Sequence, residues 1–399
     1  MSNLIKIFNA QIITPAGVLK EGTLVISNGK IAEVGNQNML VEGALEIDAK
    51  GKYVAPGFID MHVHGGGGHD FMDNTIEAFL KIAQTHAKYG TTALMPTTLS
   101  CEKDDLLTTL DIYEKADAIN NSGADFVGIH IEGPYFAMSQ KGAQDPRYIR
   151  NPDPKEYQEV LAASKHIKRW SAAPELPGTL DFGRFLRQHG VLAAIAHTDA
   201  IYEEVVQAYE VGFTHATHFY SCMSGVSRRN AFRYAGAIES AYLLDEMTVE
   251  IIVDGIHLPA PLLKLIYKIK GTEHTALITD AMRGAGMPEG KSVLGSLKDG
   301  LEVIIEDGVA KLPDRTAFAG SVATADRLVR NMIALAEVPL VDAVKMASTT
   351  PAKILNIADR KGELVKGKDA DVVIFDEDIN IAATIVKGNL VYTKDEVKF

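Results

Sequence analysis

The pattern of apolar and polar positions changes twice along the chain. Residues 1 to about 52 carry short alternating runs, "LIKIFNAQIITP", "GTLVISNGKIAEVG" and "ALEIDAKGKYVAPG", which predict strands and no helix of useful length. In the second run "SNGK" predicts a hairpin, because Asn-Gly accepts the positive φ angles of a tight turn. Near the C-terminus "GELVKGKDADVVIFDEDINIAATIVKGNLVY" has the same texture, with "KGKDAD" and "VKGN" as turns. The two ends, 1–52 and 359–399, are therefore expected to share one small β-sandwich domain.

From 53 to 358 short apolar runs alternate with charged segments of helical period, the βα pattern of a parallel sheet. Eight runs stand out: Tyr53 to His64, Thr91 to Thr98, Phe126 to Glu132, Ile167 to Glu175, Val191 to Thr198, Phe213 to Phe219, Val249 to His257 and Thr275 to Met282. Eight units close a barrel, so the fold class is α/β, a (β/α)8 TIM-like barrel rather than an open sheet. "NTIEAFLKIAQTHAKYG" and "IYEEVVQAYEVG" read as interleaved helices, each ended by glycine. Residues 291 to 317 are expected to form a β-hairpin insertion after the eighth strand, and "TADRLVRNMIALA" and "VDAVKMASTTPAKILNI" to supply closing helices.

Composition narrows the function classes. Of 399 residues, 46% are apolar and 23% charged, as in an ordinary globular protein. A net charge of -12 argues against nonspecific binding to nucleic acid or to an acidic membrane, since both need a basic surface. Only Cys101 and Cys222 are present, far apart and without metal-ligand spacing, which fits a reducing, cytoplasmic setting. No apolar run approaches the length of a membrane span.

In a barrel, chemistry collects at the C-terminal ends of the strands, and polar residues recur there. In "GFIDMHVHGGGGHD" His62 and His64 share one side of an extended strand, and the glycines leave room above it. The third run ends in His130 and Glu132, the fifth in His197, the sixth in His215 and His218, the seventh in Asp254 and His257, and the eighth in Asp280. Histidine and carboxylate ligands suit catalytic zinc, and also iron, manganese or cobalt. His215 and His218 lie an odd number of residues apart, so at most one is expected to reach the site, and His218 is nearer the loop. Glu132 is expected to outrank His130 as a ligand, because "GPYF" after it marks the strand end. His69 receives no role, and His86, His166, His189 and His274 read as helix or loop-surface residues. Asp280 in "LITDAM" is a candidate general base beside a metal. Arg228, Arg229 and Arg233 form a basic loop after the sixth strand that favours an anionic ligand, because the guanidinium fork matches phosphate.

These residues, in this strand order, resemble the amidohydrolase superfamily, and more narrowly its deacetylases of amino-sugar phosphates. The resemblance rests on "APGFIDMHVHG", "GIHIEGPYF", "KGAQDP", "AIAHTDA", "THATHFYSCMSG", "DGIHLP", "LITDAM" and "FAGS", and spans nearly the whole chain. It implies a principal metal site of Glu132, His197 and His218, and a second ion at His62 and His64 bridged by Glu132. One or two divalent ions per subunit are expected, zinc or iron first. Asp280 would be the base and then the acid, and His257 would polarise the acetyl carbonyl. Ala143, Gln144, Ser221, Cys222, Arg228, Arg229, Phe318 and Ala319 would contact the sugar phosphate. The implied reaction converts N-acetylglucosamine-6-phosphate to glucosamine-6-phosphate and acetate, in a homodimer whose partner supplies part of the phosphate site. The alternatives are another N-acylated amino sugar, an N-acyl amino acid or a cyclic amide as substrate, and a barrel that only binds.

The chain departs from the family in its loops. Gln144 stands where histidine is common, "HFYSCM" replaces "HLYNAM", and "SRRNAFRYAG" replaces the segment holding the phosphate arginine. By position Arg229 matches that arginine, with Arg228 or Arg233 next in line.

Overall fold

The computed structural model describes residues 4–36 and 39–394. Residues 1–3, 37–38 and 395–399 of the expected end segments lie outside the described residues. Strands Leu4–Thr14, Gly17–Ser27, Lys30–Gly35, Leu45–Asp48 and Tyr53–Pro56 join Val372–Phe375, Ile381–Val386 and Asn389–Thr393 in one eight-stranded sheet. Asn28 (φ 50°) and Gly29 (φ 75°) make the tight turn predicted at "SNGK". Beyond that turn the sheet curls back on itself: the Ile31 N–H donates to the Lys368 carbonyl (2.9 Å), just ahead of strand Val372–Phe375. The curl encloses a separate small core that includes Ile7, Ile12, Leu24, Ile26, Val372 and Ile385.

The run Tyr53 to His64 does not form one barrel strand. Tyr53–Pro56 pairs antiparallel with Val372–Phe375 in the end sheet, and only Phe58–Val63 enters the barrel. Gly57 divides them, and a Cβ there would lie 2.1 Å from the Thr92 side chain. A residue without a side chain is what lets the backbone cross against that wall.

The barrel strands are Phe58–Val63, Thr91–Pro96, a third formed of Asp125–Phe126 and Ile129–Glu132, then Ile167–Ala172, Leu192–Ile195, Phe213–Ala216, Thr248–Ile252 and Thr275–Ile278, all paired in parallel. Two backbone contacts close the ring at the strand tips. The Thr98 N–H donates to the His130 carbonyl (3.0 Å), and the Asp280 N–H to the His62 carbonyl (3.0 Å). Helices Ile76–Ala87 and Tyr202–Val211 fall where the helical period placed them, followed by Gly90 (φ 89°) and Gly212 (φ 125°).

After the eighth strand the insertion is a three-stranded antiparallel sheet, Gly290–Leu294, Leu301–Glu306 and Val309–Lys311, rather than a single hairpin. The turn at Asp307 and Gly308 returns the chain for a third strand, which buries Val309 and Ala310. Helices Ala325–Ala336, Leu340–Ala347 and Thr349–Ile354 close the barrel. Among the described residues, no helix is long and apolar enough to cross a membrane.

Candidate active site

The polar strand ends converge. His197, His218 and Asp280 each stand two residues past the end of a barrel strand, and each holds a left-handed backbone, with φ of 46°, 28° and 49°. Non-glycine residues seldom adopt this conformation, and it turns the side chains from the outgoing strand back over the barrel axis. Two groups of ligand atoms result, His62, His64 and Glu132, and Glu132, His197 and His218, with the atoms of each group within 4.8 Å of one another. Glu132 Oε1 lies 3.0 Å from His218 Nε2 and 3.5 Å from the Nε2 atoms of His197 and His62, while Oε2 lies 3.4 Å from His64 Nε2. Ligands about 2.0–2.1 Å from a tetrahedral ion stand about 3.4 Å apart, so these separations fit a divalent cation's shell. Asp280 Oδ1 is 3.2 Å from His64 Nε2 and 3.4 Å from His62 Nε2.

Neighbours hold the rings so that Nε2 faces the cluster. His62 Nδ1 meets Glu250 Oε1 at 2.8 Å, His64 Nδ1 the Thr97 carbonyl at 3.2 Å, and His197 Nδ1 the Gln140 carbonyl at 2.7 Å. Each partner only accepts, so each Nδ1 carries a proton, and the neutral form of each ring keeps the Nε2 lone pair for an ion. Glu250 in turn takes both Arg169 guanidinium nitrogens (2.5 and 2.7 Å) and the backbone N–H of His218 (3.2 Å). Arg169 and Glu250 are both fully buried, and neither stood out in the sequence reading. The available signal was a charged residue inside an otherwise apolar strand, as in "TVEIIV".

The remaining histidines separate by position. His130 (Nε2 to Ser171 Oγ, 2.7 Å) and His215 (Nδ1 to Thr248 Oγ1, 2.7 Å) turn into the barrel interior and belong to neither ligand group, although the His130 ring packs edge-on against His62 with centroids 4.7 Å apart. His86 is a correction: it is fully buried, with Nε2 2.9 Å from the Gly65 carbonyl, because its helix packs beneath the glycine loop. His166 and His274 are half-buried and His189 is exposed, while His69 forms a short bridge to Gly66.

Burial would raise Glu132, but the imidazoles of His62, His197 and His218 outweigh it and hold the carboxyl well below its usual range. Asp280 is likewise pushed up by burial and pulled down further by His62 and His64. Burial would lower His64, yet its bond to Asp280 and the Glu132 charge carry it to about 9. Deeper in the barrel, burial brings His215 down to about 4.

A cavity of about 200 Å³ opens over this cluster, with Glu132, His218, His257 and Asp280 in its walls. His257 is oriented by Asp254, whose Oδ2 accepts from Nδ1 at 2.7 Å, so its Nε2 points away from that carboxylate. Of the expected substrate contacts, Ala143, Gln144, Ser221, Cys222 and Phe318 line the cavity. Ala319 does not: it is fully buried in the core of the insertion, and Ala317 and Gly320 line the wall instead. Gln144 also touches Glu132 directly, Nε2 to Oε2 at 2.8 Å.

The expected phosphate arginines stand apart from this cavity. Ser227–Arg229 and Phe232–Tyr234 pair as an isolated hairpin on which Arg228, Arg229 and Arg233 are exposed, and none of the three lines the cavity of its own chain. The hairpin carries its side chains outward with Val226 (60% exposed) and Phe232 (73% exposed), and Arg229 stacks over the Tyr234 ring.

A closed barrel with histidine and carboxylate at its strand tips defines a class, and the comparison agrees: the pattern of the Amidohydrolase family matches residues 53–391, and the chain belongs to this family. At finer grain it is 33% identical over 390 residues to N-acetylglucosamine-6-phosphate deacetylase of Lysinibacillus sphaericus, covering 96% of each chain. It is 32% identical to N-acetylgalactosamine-6-phosphate deacetylase of Escherichia coli O157:H7, covering 95% of this chain and 97% of that one. The fold matches a mutant N-acetyl-D-glucosamine-6-phosphate deacetylase from Mycobacterium smegmatis, solved in complex with N-acetyl-D-glucosamine-6-phosphate. The TM-score is 0.89 at 30% identity, over 98% of this chain and 100% of that one.

Proposed function

We propose that the chain hydrolyses the N-acetyl group of N-acetylglucosamine-6-phosphate, releasing acetate and glucosamine-6-phosphate. The observation that carries the reading is Asp280 Oδ1 within 3.4 Å of both His62 and His64, at the mouth of a cavity walled by two histidine–carboxylate groups. Glu132, His197 and His218 would hold the principal divalent ion, zinc or iron, with His62 and His64 able to hold a second. Such an ion supplies Lewis acidity, making a water acidic enough to attack near neutral pH and polarising the amide carbonyl.

The chain's own groups do the rest. Asp280, kept ionised by His62 and His64, accepts the proton of the attacking water and passes it to the amide nitrogen as the C–N bond breaks. His257, held by Asp254, directs Nε2 to the acetyl oxygen as charge builds there. Because the arginines do not reach their own cavity, the phosphate would be met by the hairpin of a second copy, in a cytoplasmic homodimer. The 6-phosphate of N-acetylgalactosamine is the second reading, supported by the relative named N-acetylgalactosamine-6-phosphate deacetylase.

The test is acetate release from both acetylated hexosamine 6-phosphates and from unphosphorylated N-acetylglucosamine, with metal content assayed in the same sample. Turnover of a phosphorylated sugar by metal-loaded protein is expected. Full metal content with no acetate from any of the three would overturn the proposal.

A further inference from the structure

Glu132 serves both ligand groups, yet nothing within a glutamate fixes the plane of its carboxylate, since its last torsion is broad and two-fold. We infer that Gln144 is the positioning residue that fixes this plane, and that it thereby sets how tightly the two groups hold metal. The inference uses the metal reading of the site and not the identity of the sugar.

Three observations support it. Gln144 Nε2 donates to Glu132 Oε2 at 2.8 Å, and Gln144 Oε1 accepts the Ser100 backbone N–H at 2.9 Å. The amide can sit only one way round, because a backbone N–H only donates and an ionised carboxylate only accepts. With Oε2 tied, Oε1 is left within 3.5 Å of the Nε2 atoms of His62, His197 and His218. Finally, Gln144 itself is anchored: it is 4% exposed, and its own N–H donates to the Lys141 carbonyl at 2.9 Å. Unlike the histidine that the family resemblance places at this position, an amide does not titrate. The donated bond therefore persists at any pH at which Glu132 is ionised.

The experiment contains no substrate. Zinc affinity of the purified protein is measured by chelator competition, and the unfolding temperature of the metal-free protein is recorded alongside. Gln144→Met keeps the length of the side chain and removes both hydrogen bonds. Loss of an outer partner of this kind lowers metal affinity about 10–100-fold, and that is the expected result, together with a lower metal-free unfolding temperature from the unpaired Ser100 N–H. Gln144→Ala provides a second variant with the same expected loss should the first fold poorly. Wild-type zinc affinity in either folded variant overturns the inference. A lowered metal-free unfolding temperature with unchanged affinity also overturns it, because that is the signature of a loop anchor alone. Wild-type protein that binds no zinc, iron, manganese or cobalt would instead overturn the metal reading of the site.

Discussion

The strand-tip cluster and the arginine hairpin were both visible as unusual polar residues, and the folded chain treats them in opposite ways. Glu132, His197, His218 and Asp280 are buried and interlocked by bonds from four different strand ends. Arg228, Arg229 and Arg233 stand in solvent and reach nothing in the cavity of their own chain. Barrel closure dictates where a strand tip goes, whereas a hairpin in the following loop answers to whatever it meets. The first group is complete within one chain, whereas the second does not line that chain's cavity.

The sharpest way to break this contrast is Asp280→Asn. If the cluster is the reacting centre, kcat should fall about 10²–10⁴-fold while bound metal stays at the wild-type level. An asparagine enzyme with wild-type turnover would leave the cluster without its proposed base. Next in size is the support beneath it. Glu250→Gln strands the buried Arg169 charge and should cost about 3–5 kcal/mol in urea unfolding. The double variant Arg169→Met/Glu250→Met should regain most of that stability but bind less metal at His62, whose Nδ1 partner is gone.

The hairpin should respond in a different currency. Replacing Arg228, Arg229 and Arg233 together with alanine should raise KM for the phosphorylated sugar about 10–100-fold, the scale of a lost bond to a charged group. Metal content and unfolding should stay put, and an unphosphorylated acetyl sugar should show no change. An equal loss on both sugars would mean that the hairpin acts on fold or assembly rather than on phosphate. The last test is pH. His64 has a folded pKa near 9, above its unfolded value, so its proton stabilises the metal-free fold fully below about 6.5, and that contribution fades as pH rises through 9. Metal needs the neutral ring, so affinity should run the other way, losing about tenfold per unit as pH falls below 9 for each displaced proton. Calorimetry in buffers of different ionisation enthalpy would count that proton.

Much of the cluster was legible because its signals are local. The i, i+2 spacing of His62 and His64 needs only an extended backbone, whereas the odd spacing of His215 and His218 did not decide between them, because His218 lies past the strand end with left-handed backbone. The curl of the end sheet, the break at Gly57 and the burial of His86 were not legible, since each depends on a surface contributed from elsewhere: Lys368, Thr92 and the Gly65 carbonyl. Arg169 and Glu250 escaped notice for a related reason. A lone charge in an apolar strand means little until the strand carrying the opposite charge is known to face it across the barrel.

What the chain's own order determined was periodicity, and with it the number of βα units, the shared texture of the two ends and the polar residue at each strand tip. These depend on contacts a few residues long, which any stretch of the chain carries within itself. The tertiary structure alone decided that His197, His218 and Asp280 take left-handed backbone, that Gln144 ties down Glu132, and that the arginines point away. Each of those outcomes balances strain or exposure against partners far away in sequence, and no local pattern records that balance.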